Sequence, residues 1–515
     1  MADKKGGALQ IIQNVLVNWA AYAVTILIGF WMSPFLVHQL GDSVYGVWTL
    51  LGSLTGYLGL LDFGITPSTV KKVAEYRAKD DSEGINRVVT GGVAIFIAVG
   101  VLSFVASVVL SFFFNDLFPN PLARDIAAGL VLLTGFNLAV TFPASVFIGV
   151  LRGFQRYDID ATVSTVALIL RSVLIVLLLR AGYGIIALAW ATLGFDLARL
   201  AYLLYRAYQV NPALRVARRF FDREEIKRLF SYSSHFFLIA VGNRINFFTD
   251  SIVIGIYLSV AAVTPYSIAL RLVTYLRELV IEMTGVLMPA ITHLHATEAT
   301  EGVRELHLRA TKYAALLSLP VGLVFWILGD RFIALWMGER FITGDKAHIL
   351  LYILTLGIVV HLIGTPTGSV LTGLGRHDVV ARFSILQAVT NLIVTLILVK
   401  PLGLIGVALG TTISMCCFFL WSNIIFFKRY LQQPIVEFLR RALFGALIAQ
   451  APFAVLLLAI KRVLPPASLG SFFLLVGIAF LVYGVLAFAF CLSHDEKQTF
   501  GRIKEKFGLR RTRAT

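Results

Sequence analysis

Long apolar blocks, separated by short polar connections, recur from Ile11 to Leu492. The spans they predict are 11–37, 45–66, 89–114, 126–151, 160–180, 183–205, 232–257, 262–290, 313–336, 347–373, 380–399, 402–427, 441–460 and 469–492. Each holds about 20 to 29 residues, enough for a helix to cross a hydrocarbon core of roughly 30 Å, often with tilt. Lipid offers the backbone no hydrogen-bond partner, so only helices or closed barrels span it. The blocks are continuous rather than alternating, which selects helices. The expected fold class is an all-α membrane protein of about 14 transmembrane helices.

Composition agrees with this pattern. The 515 residues are 58% hydrophobic and 14% charged, with a mean hydropathy of +0.82, against about half apolar and a quarter charged in soluble domains. A net charge of +16 would suggest nucleic acid in a soluble chain. Here the basic residues sit in short connections, so no nucleic-acid partner is expected. Counting Lys and Arg on alternate sides of the fourteen spans gives an imbalance of about fourfold, which places the richer side, with both termini, in the cytoplasm. The run from Ile11 to Val37 is too long for a signal-peptide core and lacks a small-residue cleavage site, so it reads as the first span. The segments 206–231 and 292–312 are expected to form amphipathic surface helices, with Arg218, Arg219, Lys227 and Arg228 on anionic lipid. Cys416, Cys417 and Cys491 show neither a disulfide framework nor a metal spacing.

The chain repeats weakly at about 220 residues. Tyr45 and Gly64 match Tyr266 and Gly285; Ser145, Val146, Gly149 and Arg152 match Ser369, Val370, Gly373 and Arg376. Gly184–Thr192 matches Gly403–Thr411. The repeat contains an even number of spans, so both halves enter from the same side, an arrangement that puts a substrate path between two rocking lobes. The domains expected are an N-terminal six-helix lobe (1–207), a cytoplasmic linker (208–231), a pseudo-symmetric second six-helix lobe (232–430), two extra transmembrane helices (431–494) and a basic tail (495–515).

Four patches carry a resemblance. They are Leu40–Trp48, Leu60–Ile65, Thr249–Gly255 and Ala262–Ala269. In order and spacing they resemble the polysaccharide transport (Wzx-type oligosaccharide flippase) family of the multidrug/oligosaccharidyl-lipid/polysaccharide exporter superfamily. The resemblance spans nearly the whole chain. It implies a two-lobed helical fold that moves polyprenyl-pyrophosphate-linked oligosaccharide across the bacterial inner membrane by alternating access, for O-antigen or exopolysaccharide biosynthesis. Its partners would be that lipid-linked oligosaccharide and membrane lipids, with a polysaccharide polymerase and a chain-length regulator as further candidates. This chain departs from commoner members in its denser charge set in span eight.

Ionisable side chains at mid-membrane are costly, so they usually face a partner or a water-filled cavity. Span eight carries Arg271, Arg277, Glu278 and Glu282. Arg271, Tyr275, Glu278 and Glu282 fall on one stripe, and Arg277 points about 120° away. In span seven Asn243, Asn246 and Asp250 share a face beside Arg244, and Arg171 lies mid-way along span five. These suggest a cationic cavity. A lipid pyrophosphate would dock on Arg271, helped by Arg244 or Arg171, with Arg277 and Asn246 as further cavity residues, because guanidinium binds phosphate oxygens in pairs and stays charged. Asp250, Glu278 and Glu282 would position the arginines or couple transport to Na⁺ or protons; no other cofactor is expected. Internal salt bridging, such as Asp250 with Arg271, would use the same residues for packing alone. Asp62 reads as a helix-end group, His235 and His361 as interior histidines, and Asp196 with Arg199 as a local pair at i, i+3.

No phosphate loop, zinc-protease signature, Cys-x-x-Cys or nucleophile elbow occurs, so no enzyme activity is expected. Three alternatives to the flippase are a cation-coupled multidrug antiporter, a membrane glycan polymerase or ligase, and a non-transporting scaffold. The two spans after residue 441 weigh against the first, and short external connections against the second.

Overall fold

The structure, a computed structural model, describes residues 2–285, 300–426, 434–492, 496 and 497. The described residues are helical throughout, with no strand among them. In chain order the helices are α1 (Ala2–Leu40), α2 (Asp42–Leu58), α3 (Ile65–Arg77), α4 (Ser82–Leu117), α5 (Arg124–Gly153), α6 (Tyr157–Arg180), α7 (Gly184–Val210) and α8 (Arg223–Tyr257). They continue as α9 (Val263–Gly285), α10 (Thr300–Met337), α11 (Arg340–Thr343), α12 (Ala347–Gly373), α13 (His377–Phe426), α14 (Ile435–Val463) and α15 (Leu469–Phe490).

Twelve described segments are long and apolar enough to cross a membrane. One of them, within α13, is two spans joined end to end: the backbone leaves helical geometry at Gly403 (φ 58°, ψ −134°), two residues after Pro401. A further helix, α9, is long enough to span but carries Arg271, Arg277, Glu278 and Glu282, too many charges to count as apolar. Dividing α13 and adding α9 restores the fourteen spans read from the sequence. Many side chains on these helices point outward though apolar, such as Phe112 at 72% exposed and Leu481 at 74%. That surface suits lipid, where exposed leucine carries no penalty.

The helix ends are set locally. The Asp81 carboxylate accepts from the Gly84 amide (2.7 Å) to start α4. Asp222 accepts from the amides of Glu224 and Glu225 at the start of α8, and Ser468 and Ser471 close a capping box at the start of α15. Asp62 is the helix-end group expected: its Oδ1 accepts from the Thr66 amide at 3.0 Å and hydroxyl at 3.2 Å.

Two expectations for the polar segments need correction. Between α7 and α8 the chain forms no amphipathic helix, only the three-residue 3₁₀ turn Arg218–Phe220, because Pro212 and the Asp222 cap break the run on both sides. From Arg223 onward the polar residues belong to α8 itself. Likewise the described part of 292–312 begins at Thr300 and is the first three turns of α10.

By contacts the chain divides into two compact units, residues 1–268 with 384–407, and residues 269–383 with 408–515. In the first unit α4 lies along α5, and α5 against α7. Lipid gives helices no hydrophobic reason to associate, so small residues that let backbones approach do that work. A Cβ on Gly100 would sit 2.6 Å from the Ala139 carbonyl oxygen, and one on Gly135 would sit 2.2 Å from Ser107 Oγ. In the second unit α10 lies along α12 and α14. The buried Lys312–Glu496 pair (2.6 Å) fastens the chain beyond α15 to α10, with Tyr313 donating to the same carboxylate at 2.8 Å.

Candidate functional site

In the first unit, α6 presents Asp160, Ser164, Leu168 and Arg171 at spacings of three and four, hence on one face. The end of α5 brings Arg152 to this face, and α7 brings Asp196 and Arg199. Arg152 donates from Nε (3.1 Å) and Nη2 (2.6 Å) to Asp160 Oδ2. Arg199 Nη1 stands 3.8 Å from the other oxygen of Asp160 and 3.3 Å from Ser164 Oγ. Arg171 Nη1 stands 3.8 Å from Asp196 Oδ1, while Asn137 donates to Asp196 Oδ2 at 2.9 Å.

All of these groups except Asn137 line a cavity of 470 Å³, together with Ala21, Tyr22 and Thr25 of α1. Three guanidinium groups face two carboxylates there, so the wall carries one net positive charge. Arg171 and Arg199 are held loosely, at ion-pair rather than hydrogen-bond distance from their carboxylates, which leaves donors for an incoming anion. Arg171 was expected at such a site. The other members were not, although the polar period along 157–171 marks that face in sequence. The expected local pair of Asp196 with Arg199 does not form: Asp196 turns to Arg171 and Arg199 to Asp160. Partners on neighbouring helices win over the neighbour one turn away.

A second polar group in the same unit stands where α8 packs on α2. Arg244 lies over the Phe248 ring, 5.0 Å from its centroid. Its guanidinium reaches Gly59, where an added Cβ would lie 3.5 Å from Nη2, and Asp62 is the carboxylate whose charge acts on it. The Tyr57 and Thr249 hydroxyls hydrogen-bond to each other. Asp250 is fully buried and accepts from Tyr266 Oη at 2.5 Å; Asn246 is 2% exposed.

The second unit holds the rest of the expected set. Arg271 is exposed on α9, and Arg277 and Glu278 are partly buried. The charge of Arg277 acts on His361, whose ring packs against Phe418 at 5.8 Å. The side chains of Glu282 and His235 lie outside the described residues. Among the described residues no group of His, Cys, Asp and Glu could hold a metal ion.

Comparison with known proteins bears on what such a chain does. Residues 11–295 match the family described as "Polysaccharide biosynthesis protein", and residues 242–397 match the MatE family. A putative O-antigen transporter of Shigella flexneri is 21% identical over 415 residues, covering 79% of this chain and 95% of that one. A probable flippase, AglR, of Haloferax volcanii is 23% identical over 414 residues and 80% of each chain. Among solved structures, the lipid II flippase MurJ in an inward closed conformation superposes with a TM-score of 0.71 at 17% identity, over 93% of this chain and 98% of that one. That last likeness is one of fold. The chain is a multi-pass helical membrane protein that belongs to the polysaccharide biosynthesis protein family.

Proposed function

We propose that this protein is a flippase that carries polyprenyl-pyrophosphate-linked oligosaccharide across the bacterial inner membrane, by alternating access of two six-helix lobes, with both termini in the cytoplasm. The observation that carries this reading is the arginine-lined cavity of the first unit, within a family concerned with polysaccharide synthesis. Relatives whose names specify transport or flipping support it.

The chemistry is recognition and release rather than bond making. A pyrophosphate entering a low-dielectric cavity needs fixed positive charge, since its own hydration is lost there. Arg171 and Arg199 supply planar forks that match phosphate oxygens. Asp160 and Asp196 hold those forks when the cavity is empty, so the arginines exchange one anion for another and are never left bare. That exchange limits affinity, which a transporter requires in order to let go. Each unit also carries its own candidate phosphate-binding side chains on this reading, Arg244 and Asn246 in the first and Arg271 and Arg277 in the second, with Asp250, Glu278 and Glu282 to position them or to couple movement to Na⁺ or protons.

The test is reconstitution. Vesicles holding the purified chain and a polyprenyl-pyrophosphate oligosaccharide should expose that sugar to an external glycosidase in minutes, and empty vesicles should not. Equal rates in the two would overturn the reading. The MatE match over 242–397 favours a second reading, a cation-coupled multidrug antiporter. Under it, the same vesicles would accumulate a cationic dye on a Na⁺ or proton gradient and leave the sugar where it was.

A further inference from the structure

At one end of the first unit, the α3 terminus, the α5–α6 turn and the last two turns of α7 meet. Their side chains Arg77, Phe154, Arg156, Arg206, Gln209 and Val210 enclose an open cleft of 600 Å³, separate from the cavity described above. We propose that this cleft binds the phosphate headgroup of an anionic membrane lipid at the cytoplasmic surface.

Charge is the first support. Arg156 is matched by Asp158, with Nε at 2.9 Å and Nη2 at 3.0 Å. Arg77 has no carboxylate within ion-pair distance among the described residues; its guanidinium lies over the Phe154 ring at 4.9 Å. Arg206 faces only tyrosine, donating from Nη1 to Tyr202 Oη at 3.2 Å, and its Nε is buried without a hydrogen-bond partner. Two guanidinium charges are therefore left without a carboxylate in one cleft.

The structural alternative is that each arginine serves the carbonyls at the end of its own helix. Arg77 and Arg206 make no hydrogen bond to a carbonyl among the described residues. A planar donor stacked on a ring, or with Nε buried and unmet, is positioned for a ligand rather than for a cap.

Depth is the second support. Tyr202 and Tyr205 flank Arg206 on α7, exposed at 43% and 57%, and Tyr208, 37% exposed, stands at the same level on another side of the helix. A band of exposed tyrosine marks the level of lipid headgroups. The three segments also belong to connections on the Lys- and Arg-rich side, where anionic lipid gathers and basic pockets between helices hold headgroups.

The test uses the purified full chain, exchanged into nanodiscs of phosphatidylcholine with increasing phosphatidylglycerol. Retained lipid is read by native mass spectrometry. The unaltered chain should hold phosphatidylglycerol in preference to phosphatidylcholine. The double variant Arg77→Gln/Arg206→Gln should bind it roughly 30-fold more weakly, from two surface arginines removed. Gln209→Glu sets a like charge at the mouth without emptying the cleft, so it should weaken binding while the unfolding temperature in phosphatidylcholine stays unchanged. Equal retention of both lipids by the unaltered chain would overturn the proposal, as would unchanged affinity in both variants. Displacement of phosphatidylglycerol by millimolar inorganic phosphate would reassign the cleft to a soluble phosphate.

Discussion

The turn between α5 and α6 and the turn between α12 and α13 are built alike and equipped differently. In the first, Gln155 takes φ 60°, the Gln155 amide donates to Arg152 O (2.9 Å), and the Arg156 amide donates to Leu151 O (2.9 Å). In the second, Gly375 takes φ 74°, its amide donates to Thr372 O (3.0 Å), and the Arg376 amide donates to Leu371 O (2.8 Å). Arg156 then clamps Asp158, as Arg376 clamps Asp378. The two turns correspond at an offset of 220 residues, so Arg376 is the counterpart of Arg156 and not of Arg152, as the apolar matching had paired it. With the register set by the turns, Arg152 answers to Thr372, Asp160 to Val380 and Arg171 to Asn391. Duplication has kept the scaffold of hydrogen-bonded turns and confined this charged cavity to the first copy. The comparison separates residues that hold a helix pair together from residues that handle a ligand.

The largest expected effect breaks the charged side of that comparison. Asp160→Ala leaves Arg152 and Arg199 without their shared carboxylate. Losing one partner of a buried pair costs about 3–5 kcal/mol; Arg152 is 42% exposed, so about 2 kcal/mol is expected here. Thermal unfolding in detergent should report it. Val380→Ala, at the counterpart position, should cost about 1 kcal/mol by loss of apolar contact alone. Equal losses would mean that Asp160 acts as a packing residue only.

Next come the turns. A non-glycine residue in the left-handed region costs about 1–2 kcal/mol, so Gly375→Gln should destabilise by about 1 kcal/mol. Gln155→Gly should relieve strain and add chain entropy, gaining at most about 0.5 kcal/mol. If both substitutions move the unfolding temperature the same way, the two turns are not equivalent.

The smallest effects belong to the clamps. Asp158→Ala and Asp378→Ala each remove a bidentate pair that is about a third exposed. Asp158→Ala should cost under about 1 kcal/mol, shrinking further at high salt, and Asp378→Ala should leave the unfolding temperature nearly unchanged. A loss several times larger in either would show that the clamp itself, and not the backbone turn, holds the helix pair.

What the sequence disclosed follows from which forces act locally. The α12 span was legible to both ends, 347–373, because the connections on either side are polar and the block between them is unbroken. Helix α9 was legible in spite of its charges because the block 262–290 is long enough to cross the membrane and is apolar between its charged positions. Asp62 was legible as a helix end because its partner is four residues away. The Asp196–Arg171 and Asp160–Arg152 pairs were not, since each partner is chosen by how neighbouring helices pack. The linker misled because a run of arginines with interspersed phenylalanine looks amphipathic, while Pro212 and Asp222 decide the backbone. Apolar helices match one another at several offsets, so only the positive-φ turns could fix the repeat register.

Arg171 bears the heaviest part of the account, because it is the guanidinium at mid-span that would meet a pyrophosphate. The direct measurement is vesicle translocation of a polyprenyl-pyrophosphate oligosaccharide by Arg171→Ala and Arg171→Lys, each checked for folding by its unfolding temperature. The alanine variant should be at least tenfold slower, with partial recovery by lysine, which keeps the charge and loses the planar fork. Translocation at the unaltered rate by a correctly folded Arg171→Ala chain would contradict it.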